Sequence, residues 1–216
     1  FKQKNISKIS DIQNKSIELS LLLSLPAAVG LIVASEPIIN ALFGYGSFSN
    51  ENVKMTAAAL KYFGFGVPAF AIIKILSNFF FARNNTKTPF YISVLVVFLN
   101  VVISLLFFKK IGFIIIPIAT SISTWVGVLI YVYLLQRKNF LLIQDYLLKN
   151  IFKILINTTI MYFLLIFALD HFSSYLDYLY KFKSVYLLLI VGFVAVFYLI
   201  SCYFTGILKV KNFKTN

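Results

Sequence analysis

Acidic residues are almost missing from this chain of 216 residues: 7 Asp and Glu stand against 20 Lys and Arg, and charged residues of both signs make up only 12%. An ordinary soluble domain is about a quarter charged and about half apolar. Here 60% is hydrophobic, more than a core of this size hides, so the excess faces lipid. Cysteine is nearly absent too. Cys202 stands alone within an apolar run, which permits no internal disulfide and no cysteine metal cluster; it reads as a buried structural thiol. The one histidine, His171, has only Asp170 and Asp177 near it in sequence, too few ligands for a metal site. No phosphate-binding glycine loop, zinc spacing or nucleophile paired with a base occurs, so neither a cofactor nor enzyme chemistry is expected. The opening "FKQKNISKISDIQNK" lacks the apolar core and cleavage site of a signal peptide. That it begins with Phe rather than Met points to a fragment.

What the chain has in abundance is long apolar runs. Six lie at 17–35, 55–82, 90–108, 111–135, 149–169 and 184–207, each near the ~20 residues that a helix needs to cross a bilayer. Barrel strands are about half as long and alternate polar with apolar, and a backbone in lipid must satisfy its own hydrogen bonds. The expectation is an all-α polytopic membrane protein with six transmembrane helices. Its parts are a cytoplasmic segment 1–16, four helices over 17–138, and two final helices with a cytoplasmic tail over 139–216.

A net charge of +13 in a soluble protein would indicate nucleic acid; here its placement gives another reason. With the N-terminus inside, the inner segments hold Lys2, Lys4, Lys8, Lys15, Arg83, Lys87, Arg137, Lys138, Lys149, Lys153, Lys209, Lys211 and Lys214. The outer segments hold Lys54, Lys109, Lys110, Lys181 and Lys183, while Lys61 and Lys74 fall within a span. Thirteen inside against five outside puts both termini in the cytoplasm and removes nucleic acid as a partner. Lys109 and Lys110 are a local exception in a very short turn.

Two loops carry local signals. "RNNTKTP" at 83–89 reads as an inner hairpin loop held by Arg83 and Lys87, with Pro89 in the first turn of the next helix. In "SEPIINALFGYGSF" Ser35 is expected to cap a short interfacial helix that Gly44 ends, and Ser49 with Glu51 to start the next long one.

Polar groups inside spans need a reason in lipid, where a central Lys costs about 2.5–3.5 kcal/mol. Lys74 shares a helix face with Asn78, four residues on. The pair is either the cationic wall of an aqueous cavity for an anionic substrate, or a snorkelling Lys satisfied by carbonyls. "FGFGVP" at 63–68 predicts a kink, since Pro68 cannot donate to the carbonyl of Gly64; Gly64, Gly66 and Pro68 are the candidate hinge. Ser93, Asn100 and Ser104 share a face of the third span, with Asn100 a candidate cavity residue. Ala119, Ser123 and Gly127 repeat small residues every four in the fourth, a pattern for close helix packing, and Trp125 reads as packing too. No span has an Asp or Glu at its centre, which leaves no carboxylate proton relay within this chain. Asn84-Asn85-Thr86 and Asn157-Thr158-Thr159 match a glycosylation pattern by chance, one in an inner loop and one within a span.

The order of motifs adds a resemblance. "SLLLSLPAAVGLIVASEPIINALFGYGSFS", "ALKYFGFGVPAFAIIKILSNFFFARNNTKTPFYISVLVVFLNVVIS" and "IGFIIIPIATSISTWVGVLIYVYLLQRK" look like the C-terminal half of the MurJ/MviN family of lipid II flippases. The likeness spans 17–138, while 139–216 is similar in hydropathy and spacing. "KILSNFFFARNNTKTP" resembles the family segment that runs from a lysine to "FYAR-DTKTP", departing at Asn85, where the family often has aspartate. The resemblance implies helices nine to fourteen of a fourteen-helix fold, with the N-terminal lobe as a missing partner. It implies alternating-access transport of an undecaprenyl-pyrophosphate-linked cell-wall precursor across the bacterial inner membrane, cavity cations meeting the pyrophosphate. Lys74 matches the family lysine, Arg83 reads as loop anchor or inner gate, and the last two helices would offer lipid a groove. Without the other lobe the fragment should not transport. The nearest alternative is a flippase for another polyprenyl-linked polysaccharide unit. A drug/cation antiporter would want an acidic coupling residue, a membrane glycosyl or phosphoglycosyl transferase would need more carboxylates than Asp170 and Asp177, and a purely structural subunit would leave Lys74→Ala silent.

Overall fold

A computed structural model describes residues 2–208, with side chains from Lys8 onward. The side chains of Lys2 and Lys4, and Lys209, Lys211 and Lys214 with the tail that carries them, lie outside the described residues. Eight α-helices follow in order: α1 (Lys2–Val33), α2 (Ser35–Phe43), α3 (Asn50–Gly64), α4 (Val67–Phe81), α5 (Lys87–Ile111), α6 (Ile115–Arg137), α7 (Asp145–His171) and α8 (Lys183–Phe204). Short 3-10 turns fill Gly112–Ile114 and Ser173–Tyr175, and no strand occurs among the described residues. Five stretches are long and apolar enough to cross a membrane: Lys8–Val33, Asn50–Phe81, Lys87–Arg137, Asp145–His171 and Lys183–Phe204. Gly112, at φ 72°, breaks the 51 residues of Lys87–Arg137 into α5 and α6, which restores the six expected crossings.

The boundaries teach local chemistry. α1 reaches back through the polar opening segment that the hydropathy reading left outside the first span; Ser10, Gln13 and Asn14 in it are buried. Ser35 is not the cap of α2. Ala34 holds that position without a side-chain bond, and the Ser35 hydroxyl turns back to the Ile32 carbonyl at 3.4 Å. Gly44 does end α2, its N–H on the Asn40 carbonyl, and Ser49 Oγ does accept the Asn52 N–H at 3.2 Å to start α3. Lys109 and Lys110 lie in the last turn of α5 rather than in a turn between helices, where cations complement the helix dipole.

The chain divides into two compact units. The first joins the stretch through Ser24 to Phe65–Lys149. In it α6 packs on both α4 and α5, and its small face is where they approach. A Cβ on Gly127 would stand 2.8 Å from Val96 and 3.0 Å from Ile73, and Ala119 and Ser123 are buried beside it. Phe80 and Tyr131 fill the core with rings 5.9 Å apart. α5 fully buries only Pro89 and Ile92 of its 25 residues, and apart from the half-buried Val96, Leu99, Val102 and Ile103 its apolar side chains face outward.

The second unit joins Leu25–Gly64 to the stretch from Asn150 onward. α2 packs against α3 and α8 over a cluster of Ile39, Val53 and Ala57, covered by Phe48, Leu60 and Tyr178. Gly64 lets α3 approach α1 closely, because a Cβ there would come within 2.8 Å of the Ile32 side chain.

Candidate substrate-facing surface

α4 is two-faced because its sequence is. Ile72, Leu76, Phe79 and Phe80 turn into the first unit, while Phe70, Lys74, Asn78 and Phe81 fall on the exposed side at helical spacing. The Lys74 ammonium has no hydrogen-bond or ion-pair partner among the described residues; only its backbone carbonyl is engaged, by Ser77 at 3.0 Å. No carbonyl therefore satisfies it internally. Asn100 is half-buried on α5 and donates to Thr120 Oγ1 on α6 at 2.7 Å. It thus bonds α5 to α6.

Arg83 follows the end of α4 and donates to two carbonyls, Phe79 at 2.6 Å and Phe140 at 3.2 Å, with its guanidinium 4.4 Å from the Phe140 ring centre. Partial burial pulls its pKa below the usual arginine value. Asn85 closes the same loop: its Oδ1 accepts the Thr88 N–H at 3.1 Å and its Nδ2 donates to Thr88 Oγ1 at 3.0 Å. From one residue before the Thr86 cap position, this side chain therefore takes up an N–H of the first turn of α5, a task an aspartate performs equally well. Lys87 is exposed at the head of α5. It lines a cleft of about 550 Å³ with Thr86 and the rings of Phe81, Phe90 and Tyr91. At the candidate hinge α3 stops at Gly64 and α4 starts at Val67, with Pro68 in its first turn. Gly66 sits in ordinary right-handed backbone, and the Trp125 indole donates to the Phe65 carbonyl at 2.9 Å.

In the second unit α7 and α8 enclose an apolar groove of about 430 Å³, walled by Leu164, Phe167 and Phe172 on one side and Tyr186, Leu189 and Phe193 on the other. Below it Asn157, buried, joins the two helices. Its Nδ2 donates to Thr205 Oγ1 at 2.9 Å and its Oδ1 accepts from Ser201 at 2.7 Å. Lys153 adds a bond to the Thr205 carbonyl at 3.0 Å.

Comparison with known proteins decides what this helix arrangement is. The family model described as lipid II flippase MurJ matches residues 1–187. The chain belongs to the MurJ family. A probable lipid II flippase MurJ of Rickettsia prowazekii is 36% identical over 182 residues, covering 84% of this chain and 35% of the relative. Another, of Buchnera aphidicola, is 32% identical over 207 residues, 93% of this chain and 39% of the relative. A solved lipid II flippase MurJ in an inward closed conformation fits with a TM-score of 0.74 at 28% identity, over 92% of this chain and 39% of that one. The chain thus spans little more than a third of the length of these MurJ relatives.

Within a MurJ fold some polar residues escaped sequence reasoning. Asn14 is fully buried, with Nδ2 donating to the Leu142 carbonyl at 2.8 Å and Oδ1 accepting the Gln144 N–H at 3.2 Å. Asn157 passed for a chance glycosylation pattern, although an Asn inside an apolar run is itself a signal for interhelical bonding. Lys183, assigned by charge to an outer loop, is buried.

Proposed function

We propose that the whole protein containing this segment is a lipid flippase. It moves lipid II, the undecaprenyl-pyrophosphate-linked peptidoglycan precursor, across the bacterial cytoplasmic membrane by alternating access. This segment supplies the last six crossings, is inactive without the N-terminal lobe, and carries a transport role rather than catalysis. Thirteen inner against five outer cations support cytoplasmic termini. Residues 17–138 serve as part of the C-terminal lobe and 139–216 as the two final helices. The observation that carries the reading is Lys74, a charge within a span, exposed and without an internal partner, beside Asn78. A lysine so placed is worth its insertion cost when an anion meets it: one unit charge 4 Å away contributes about 4 kcal/mol at an effective dielectric of 20. Arg83 and Lys87 then act as loop anchor or inner gate, Asn100 borders the cavity, and Gly64, Gly66 and Pro68 supply flexure.

The test is rescue. The full reading frame is expressed in a bacterium depleted of its own lipid II flippase, with membrane expression followed by blot. Growth is expected. Absence of growth at full expression refutes the lipid II assignment and favours a flippase for another polyprenyl-linked polysaccharide unit.

A further inference from the structure

Lys183 is an unusual residue for the head of an apolar helix. It is 1% exposed, and its ammonium donates three hydrogen bonds: to Asn40 Oδ1 at 3.0 Å, to the Gly44 carbonyl at 2.6 Å and to the Tyr178 carbonyl at 2.7 Å. An ammonium has three N–H groups, and all three are used. The rings of Tyr45 and Tyr178 approach it with centres 4.2 and 4.8 Å away, at cation–π distance.

Around this centre the same two stretches are stitched repeatedly. Asn40 Nδ2 donates to the Leu176 carbonyl at 2.9 Å, Ser184 to the Ala41 carbonyl at 2.7 Å and the Tyr178 hydroxyl to the Phe48 carbonyl at 2.6 Å. Gly44 is needed there, since a Cβ would collide with the Asn40 side chain that Lys183 holds. A charge-assisted bond is roughly twice as strong as a neutral one, and a buried cation stripped of its acceptors is costly to leave. Opening this contact would do so with three bonds at once.

We propose that Lys183 is a buried clasp that joins α2 and its following loop to the head of α8 and stays closed throughout the working cycle. Residues 35–48 and 176–187 then move as one rigid piece. The statement about the cycle rests on the transport reading above; the existence of the clasp does not. α2, short enough to look like a mobile interfacial helix, is on this account fixed to the last helix of the chain.

The experiment uses the unmodified full-length protein. A membrane-permeant amine-acylating reagent is applied to cells growing on it as sole flippase, and separately to isolated membranes, and each lysine is read by mass spectrometry. Exposed Lys181, two residues away, is the internal control. Lys183 is expected to react at least about a hundredfold more slowly than Lys181 in both samples, as for a group reached only by rare opening. Protection in membranes with reaction within about tenfold of Lys181 in growing cells overturns the closed cycle. Reaction in both overturns the clasp. Failure of the cells to grow refutes lipid II transport, while the membrane sample still decides the clasp. As a second measurement, Lys183→Met should speed hydrogen exchange of the α2 amides by at least about tenfold, the scale of a single charge-assisted bond, since three are lost. A change below about threefold also overturns it.

Discussion

Replacing Asn14 with leucine should loosen the connection that leads from α6 into α7. The exchange keeps the branching at Cγ and deletes the polar atoms. Four contacts disappear: the bond to the Leu142 carbonyl at 2.8 Å, those to the Ser10 carbonyl at 2.7 Å and the Ser10 hydroxyl at 3.3 Å, and acceptance of the Gln144 N–H at 3.2 Å. Leu142 keeps the Ser10 hydroxyl at 3.2 Å, so its carbonyl is not orphaned. The Gln144 N–H has no such reserve among the hydrogen bonds described. The half-buried Gln144 N–H left without an acceptor costs about 1–3 kcal/mol and one net hydrogen bond about 1 kcal/mol, giving about 2–4 kcal/mol at most. At about 1.4 kcal/mol per tenfold, transient opening of residues 140–146 should rise by roughly thirtyfold to several hundredfold. Hydrogen exchange of those amides in the full-length protein reads this directly, with Ser10→Ala as a control of less than about tenfold. An Asn14→Leu protein whose 140–146 amides exchange within about threefold of the parent would show that Asn14 does not hold this connection.

Four further outcomes follow from the geometry. Lys74→Ala should lower growth rescue at matched expression and Lys74→Arg should restore it in part; full rescue by the alanine form would remove the cavity role. Asn85→Asp should be neutral or stabilising by about 0.3–1 kcal/mol, as an anion at the head of α5, read as the thermal midpoint of the purified protein. Gly127→Leu should destabilise by about 1–3 kcal/mol or more, because even a Cβ crowds Val96 and Ile73, and should reduce expression. Asn157→Leu should cost only about 1 kcal/mol, the usual scale of interhelical bonds in lipid, measured by thermal unfolding.

The crossings were legible because hydropathy is a one-dimensional signal. "FGFGVP" announced the break before α4, and Lys109 and Lys110 parted two runs that hydropathy alone would merge, although the chain turns just beyond them, at Gly112. What stayed hidden depends on partners far along the chain. Asn14 is buried by the backbone at Leu142 and Gln144, and Lys183 by carbonyls of Gly44 and Tyr178. Carbonyls are common to every residue, so no pattern of side chains marks them as acceptors. Ser35 misled for a related reason: a cap depends on which way the chain enters the helix, and here Ala34 makes that entry. On α4, the residue types and their spacing gave the Lys74–Asn78 stripe directly, whereas its outward direction needed the packing of Leu76 and Phe80.

The three-residue turn between α5 and α6 has a consequence for how the chain is threaded into the bilayer during synthesis. With no loop of any length between them, neither helix has room to pause alone, and the pair enters as one hairpin. Its tip carries Lys109 and Lys110, while its base is flanked by Arg83 and Lys87 on one side and Arg137 and Lys138 on the other. In the orientation proposed above, two cations cross the hydrocarbon against four that stay behind. On that reading the charges at the base hold the hairpin in place, and removing them should turn it over.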